Sequence, residues 1–182
     1  YMRDQFVFLG IATPQRREAI KALSLPMLPS DVLFSLVQQL WQQPEREYQY
    51  VAVDLLKKHS QQLTLADIGT LQSYVQQQSW WDSVDGLASV IGTAMKRLTQ
   101  ADSKHQDIMD TWLTHDNLWV RRVAMIHQLG WRNLTHQHRL SHYALALAAE
   151  KEFFIRKAIG WALRDYARHQ PDWVSAFVAQ HN

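Results

Sequence analysis

Ser79-Trp80-Trp81-Asp82-Ser83-Val84-Asp85 places two indoles and two carboxylates within about two helical turns. An electron-rich aromatic face beside a fixed carboxylate is the pairing that stabilises a developing positive charge. A helix advances about 100° per residue, so Trp80, Val84, Leu87 and Ile91 share one apolar stripe. Trp81 and Asp85 fall outside that stripe, one turn apart on one side. The pair therefore lies at a helix edge, where a recognition or catalytic pair would be placed. Taken singly, each has a plainer reading. Asp85 fits a solvated helix carboxylate or an ion-pair partner, and Trp81 fits partial burial as well as it fits a working aromatic face.

Cations recur on what reads as the second helix of each pair: Lys57-Lys58, Lys96-Arg97, Arg121-Arg122, Arg156-Lys157 and Arg164. Helices of this kind lining one wall would give a near-neutral chain a basic channel suited to a phosphate backbone. A solvated charged face is the simpler explanation for Lys57-Lys58 and Lys96-Arg97. Arg122 is different, because Trp119 lies one turn before it, as in a phosphate clamp held by stacking. Trp161 has Phe154 and Ala158 seven and three residues before it, spacing that by itself places it in the core. His138 and His142 have the i, i+4 spacing of metal ligands, with His136 nearby. No third ligand accompanies them, so they read as a polar helix face and no metal is expected. Neither a Gly-x-Ser-x-Gly elbow nor a phosphate-binding glycine loop occurs.

These residues need elements to hold them. The 182 residues suit one domain with a substantial core, and no run of about 20 apolar residues offers a membrane span. Without cysteine there is no disulfide and no thiolate, and a soluble intracellular protein is the expectation, assigned to the cytoplasm. The formal charge of +2 neither requires nor excludes nucleic acid. Sparse glycine and proline, with apolar residues at three- and four-residue intervals, predict an all-α chain. Helices are expected to start at Thr13-Pro14 (ending before Pro26), at Ser30 (to about Gln43), at Pro44, at Leu65 (to Gln77) and at the tryptophan segment (to about Leu98). The second half predicts helices from Asp102 to Leu113, from Asn117, from Thr135 to Glu150, from Glu152 to Arg168 and from Pro171.

Leu118-Trp119-Val120-Arg121-Arg122-Val123-Ala124 returns 35 residues later as Phe153-Phe154-Ile155-Arg156-Lys157-Ala158-Ile159. Val84 lies 36 residues before Val120 in a comparable place. A period of that size, built of helix pairs, predicts an α-solenoid of HEAT-like antiparallel pairs, one domain over residues 1–182. An irregular helical bundle is the competing reading.

Tyr1-Met2, Phe6 to Ile11, Thr13 to Arg17, Leu40-Trp41, Pro44 to Glu47, Ser79 to Asp85, Asp116 to Trp119 and Lys151 to Trp161 together resemble the bacterial DNA alkylation repair family, the AlkD-type HEAT-like glycosylases. The match runs in order over nearly the whole chain, and Trp-Trp-Asp-Ser-Val-Asp and Lys-Glu-Phe-Phe-Ile are its most specific parts. The resemblance implies hydrolysis of the N-glycosidic bond of N3- or N7-alkylated purines in duplex DNA, without metal or cofactor and without deep base flipping. It assigns Trp81, Trp161 and Asp85 to catalysis and Arg122 to the DNA backbone, and so reverses the core reading of Trp161. Trp119, Arg121, Arg156, Lys157 and Tyr1 are the accompanying DNA-contact candidates. A monomer acting on alkylated duplex DNA is expected. The alternative is a non-catalytic HEAT-like scaffold that binds DNA or protein.

Overall fold

The computed structural model describes residues 2–181, so Tyr1, one of the DNA-contact candidates, lies outside the described residues. Ten α-helices follow in order: α1 (Thr13–Ala22), α2 (Ser30–Trp41), α3 (Arg46–Lys58), α4 (Leu65–Val75), α5 (Trp81–Ala101), α6 (Asp107–Trp112), α7 (Leu118–Ile126), α8 (Gln137–Leu147), α9 (Phe153–Ala167) and α10 (Pro171–Gln180). Extended pairing among the described residues is confined to one bridge between Val7 and Glu45. The all-α expectation holds. The chain divides into two compact units, Tyr1–Leu63 and Thr64–Asn182.

In the first unit α1 and α2 pack on α3. Leu33, Val37 and Trp41, four residues apart on α2, bury one face, and Ala52, Leu55 and Leu56 of α3 are buried with them. A charged residue organises the approach to this core. Buried Glu47 accepts the backbone N–H groups of Leu9 and Gly10 at 2.9 Å each and of Ile11 at 3.2 Å. Burial raises its carboxyl, but these amides together outweigh burial and hold it below the usual carboxylate range. The Arg46 guanidinium lies 3.8 Å from the Phe6 ring centroid, and the Arg46 amide donates to the Val7 carbonyl at 2.9 Å. Because Glu45 is held extended at this bridge, α3 begins at Arg46 instead of at Pro44.

In the second unit α4 packs on α5, α6 on α7 and α8 on α9, and the second members of these pairs pack in succession, α5 on α7 and α7 on α9. This is the stacking that a helix-pair repeat requires. The central position of α7 is written in its composition. Trp119, Val120 and residues 122–126 are all buried, a helix covered on nearly every side. On α5, Val84, Leu87, Ile91, Met95 and Leu98 are buried, each contributing about 1.5–3 kcal/mol of apolar burial. Trp80 belongs to this stripe by burial but stands outside the helix, as its extended N-cap.

The two helices approach closely at Gly92. A Cβ there would lie 2.0 Å from the His127 carbonyl oxygen, so only glycine permits the contact. The Trp131 indole N–H donates to the Gly92 carbonyl at 3.2 Å, fixing the same crossing. The single helix expected over Asp102 to Leu113 is instead a 3₁₀ turn, Ser103–Gln106, followed by α6. Asp102 ends α5 in an extended conformation, and its carboxylate accepts the Lys104 amide, which restarts the chain.

Candidate active site

Asp85 sits in the second turn of α5, one turn after Trp81, the first helical residue. It meets Arg122 of α7. The Arg122 Nε–H donates to Asp85 Oδ1 at 2.8 Å and Nη2 donates to Oδ2 at 2.9 Å, a bidentate pair whose side chains are 5% and 16% exposed for Arg122 and Asp85. The third guanidinium nitrogen, Nη1, donates to the Phe154 carbonyl at 2.5 Å. One buried cation thus ties α5, α7 and the first turn of α9.

Beneath it three aromatic rings fill the starts of the same three helices. Trp80 lies 5.7 Å from Trp119 and 5.1 Å from Phe154, and Trp119 lies 4.8 Å from Phe154, all tilted or edge-on. Arg122 is 6.0 Å from the Phe154 ring centroid.

Burial pushes the Asp85 carboxyl above its ordinary range; the Arg122 hydrogen bonds and charge pull it down, and nearby Asp82 adds to the rise. Both carboxylate oxygens accept from the guanidinium, so the anion is the form this geometry holds. The result is a carboxylate with little hydration of its own, fixed in direction and still partly open to solvent.

The structure brings Asp85 and Arg122 into contact, whereas spacing alone reads Arg122 as a phosphate clamp beside Trp119. The residue exposure of Arg122 is 4%, and its donors are committed to Asp85 and a carbonyl. Trp119 is likewise packed in the aromatic cluster and is not open for stacking on a ligand. Arg121 is spent in a bidentate pair with Glu150 at 2.7 and 2.8 Å, and it also donates to the His115 and Asp116 carbonyls. Burial in a close-packed second unit, which local spacing does not report, is the common reason.

Trp81 is half-buried, and Trp161 on α9 is 42% exposed, in the open and not in the core. Trp161 lies two turns beyond Phe154, about 10 Å along the axis. Arg156 and Lys157 are exposed near the start of α9, with the Lys157 ammonium 5.4 Å from the ring of exposed Phe153. His138 and His142 are both exposed on α8, and no group of three metal-ligating side chains occurs among the described residues. No helix among them is long and apolar enough to cross a membrane.

Phe154 is the participant that residue-by-residue reading passed over. The signal was present in the repeat, which aligns Trp119 with Phe154 and so places two bulky rings at equivalent helix starts.

The family described as "DNA alkylation repair enzyme" matches residues 1–182. A solved structure described as "Predicted DNA alkylation repair enzyme from Enterococcus faecalis" is 35% identical, with a TM-score of 0.90 over 99% of this chain and 84% of that one. Two structures from Streptococcus mutans share the fold at lower identity. AlkD2 is 20% identical, with a TM-score of 0.71 over 98% of this chain and 85% of its own. The protein smu.31 of strain UA159 is 21% identical, with a TM-score of 0.69 over 90% and 81%. Comparison with curated proteins gives no match. The match over the whole chain and the 35% identical structure agree: the chain belongs to the DNA alkylation repair enzyme family.

Proposed function

We propose that the protein is a monofunctional DNA glycosylase that hydrolyses the N-glycosidic bond of cationic N3- and N7-alkylated purines in duplex DNA. The observation that carries this reading is the fixed, poorly hydrated Asp85 carboxylate held by Arg122 one turn from Trp81.

Alkylation at N3 or N7 leaves the purine positively charged. When the bond from the sugar C1′ to the base nitrogen breaks, its electron pair leaves with the base and neutralises it. The positive charge passes to C1′ and the ring oxygen of the deoxyribose. An anion already stripped of most of its water stabilises that centre without reorganising. Asp85 takes this role and orients the water whose oxygen bonds to C1′, accepting the proton that the water releases. The indole faces of Trp81 and Trp161 favour the same cation by packing against the sugar. Arg122 acts through Asp85, setting its direction and keeping it ionised. Exposed Arg156 and Lys157 supply phosphate contacts. Cationic lesions are preferred, because the leaving group carries most of the instability and the site needs no deep base pocket.

The test is release of 7-methylguanine from methylated duplex DNA. Asp85→Asn keeps the shape of the site but not its charge, and is expected to lower the rate about 10²–10³-fold with duplex binding retained. Undiminished release would remove Asp85 from the chemistry. No release by the wild type would favour a non-catalytic DNA-binding scaffold.

A further inference from the structure

A second concave site lies in the Thr64–Asn182 unit, away from Asp85, where the C-terminal part of α5 meets the Ser103–Gln106 turn, the segment leading to α8 and the start of α8. It encloses about 170 Å³ and is lined in part by Lys96, Ser103, Gln106, Trp131, His136 and Arg139. Lys96 is eleven residues past Asp85, about 16 Å along the helix. The site therefore belongs to a different region from the ion pair.

Its chemistry is that of donors. Lys96 and the Ser103 hydroxyl have no hydrogen-bond or ion-pair partner among the described residues. Arg139 uses Nε and Nη2 on Asp110 and Asp107, which leaves Nη1 uncommitted. The two aspartates temper the guanidinium's charge but do not line the depression. His136 caps α8 by accepting the Arg139 amide at Nδ1, so the neutral ring carries its proton on Nε2.

Gln106 is buried in the lining, and its amide orientation is fixed by its neighbour. His127 Nδ1–H donates to the Ala124 carbonyl, so His127 Nε2 accepts from the Gln106 Nε2 at 2.5 Å. Gln106 Oε1 is left without a donor. Trp131, whose N–H is spent on Gly92, offers only its ring. An occupant matching this set is anionic at one end, hydroxylated in the middle and apolar on one face. The volume equals that of about six waters, room for a phosphate and part of a sugar.

We propose that this depression binds a phosphate ester on a small hydroxylated body, of pentose phosphate size. Its phosphate oxygens accept from Lys96, Ser103, His136 and Arg139 Nη1, a hydroxyl supplies the donor that Gln106 lacks, and the sugar's C–H face lies on Trp131. The shared chemistry admits two sources, a free sugar phosphate or the sugar-phosphate backbone of a DNA strand. The proposal does not rest on the glycosylase reading.

Nitrogen-15 NMR on the full chain separates the cases, with ribose 5-phosphate, inorganic phosphate, ribose and an undamaged duplex as probes. Ribose 5-phosphate is expected to shift the Trp131 indole N–H and the amides of residues 96–106 saturably. Inorganic phosphate should compete, and ribose alone should not bind. Lys96→Gln, on a partly exposed side chain, should weaken binding about tenfold. A duplex that moves the same amides and is displaced by ribose 5-phosphate identifies the DNA backbone as the occupant. A duplex that leaves them unmoved identifies the free ester. Absence of saturable shifts with ribose 5-phosphate, or equal binding by wild type and Lys96→Gln, overturns the proposal.

Discussion

The contact most exposed to test is the Asp85–Arg122 pair, because its two charges have almost no water to fall back on. Replacing Arg122 with Met leaves a carboxylate that is 16% exposed and has lost two charge-assisted hydrogen bonds. Replacing Asp85 with Leu leaves a guanidinium that is 5% exposed and keeps only the Phe154 carbonyl as a partner. Breaking one side of a buried pair costs about 3–5 kcal/mol, whereas replacing both sides with apolar groups is close to neutral. Arg122→Met should fall at the lower end, because Asp85 can draw on some solvent; Asp85→Leu should fall at the upper. At about 2–4 °C per kcal/mol for a chain of this length, Arg122→Met is expected to melt about 6–12 °C below the wild type.

The double variant should recover most of the loss, giving a coupling of at least about 3 kcal/mol in a double-mutant cycle. The pH dependence follows from the direction of the carboxyl's shift. Asp85 is already raised by burial, and without Arg122 it rises further, so the folded variant holds its proton over a wider range than the unfolded chain. Its stability is then full below the unfolded carboxyl value and is lost as pH rises through the folded one. The deficit against wild type should be larger at pH 7.5 than at pH 4.5, read by denaturant titration at both. Single-variant costs below about 1 kcal/mol that simply add would refute the buried-pair reasoning.

Gly92→Ala must separate α5 from α7, since its Cβ would lie 2.0 Å from a backbone oxygen that no side-chain rotation can clear. A loss of about 3 kcal/mol or more in denaturant stability is expected, with lower base release because Asp85 and Arg122 sit on the two helices displaced. Replacing Arg156 and Lys157 together with glutamine should reduce the slope of log affinity against log salt by about two, and duplex titrations at several salt concentrations measure it. An unchanged slope would remove both residues from the DNA contact.

Helix starts and the repeat were legible because they depend on local chemistry. Asn117, whose side chain accepts the Trp119 amide, marks the start of α7, and proline opens α10 as expected. Departures arose where distant backbone intervened, as at Glu45, which Val7 holds extended. Within the candidate site, the place of Asp85 at the start of α5 could be read from spacing, but its partner could not. Arg122 and Asp85 are 37 residues apart, and only the packing of α5 on α7 joins them. Periodicity misjudged Trp161, since apolar neighbours on its own helix do not reveal that its face lacks a covering element; resemblance to the family supplied what spacing could not.

In the Thr64–Asn182 unit the links that tie α5 to α7 and to the turn after it, and that turn to α9, recur at nearly constant sequence distance. Asp85 reaches Arg122 across 37 residues, Gly92 reaches Trp131 across 39, and Gly130 reaches Asp165 across 35. Such a lattice tolerates length changes in its connectors but not in its rods. One residue inserted in α7 after Arg122 would turn everything beyond it by about 100°, leaving the ion pair in place while Trp131 and Gly130 swing off their anchors. Drift in kindred chains should accordingly collect insertions between helices and spare the stretches from 85 to 92 and from 122 to 130.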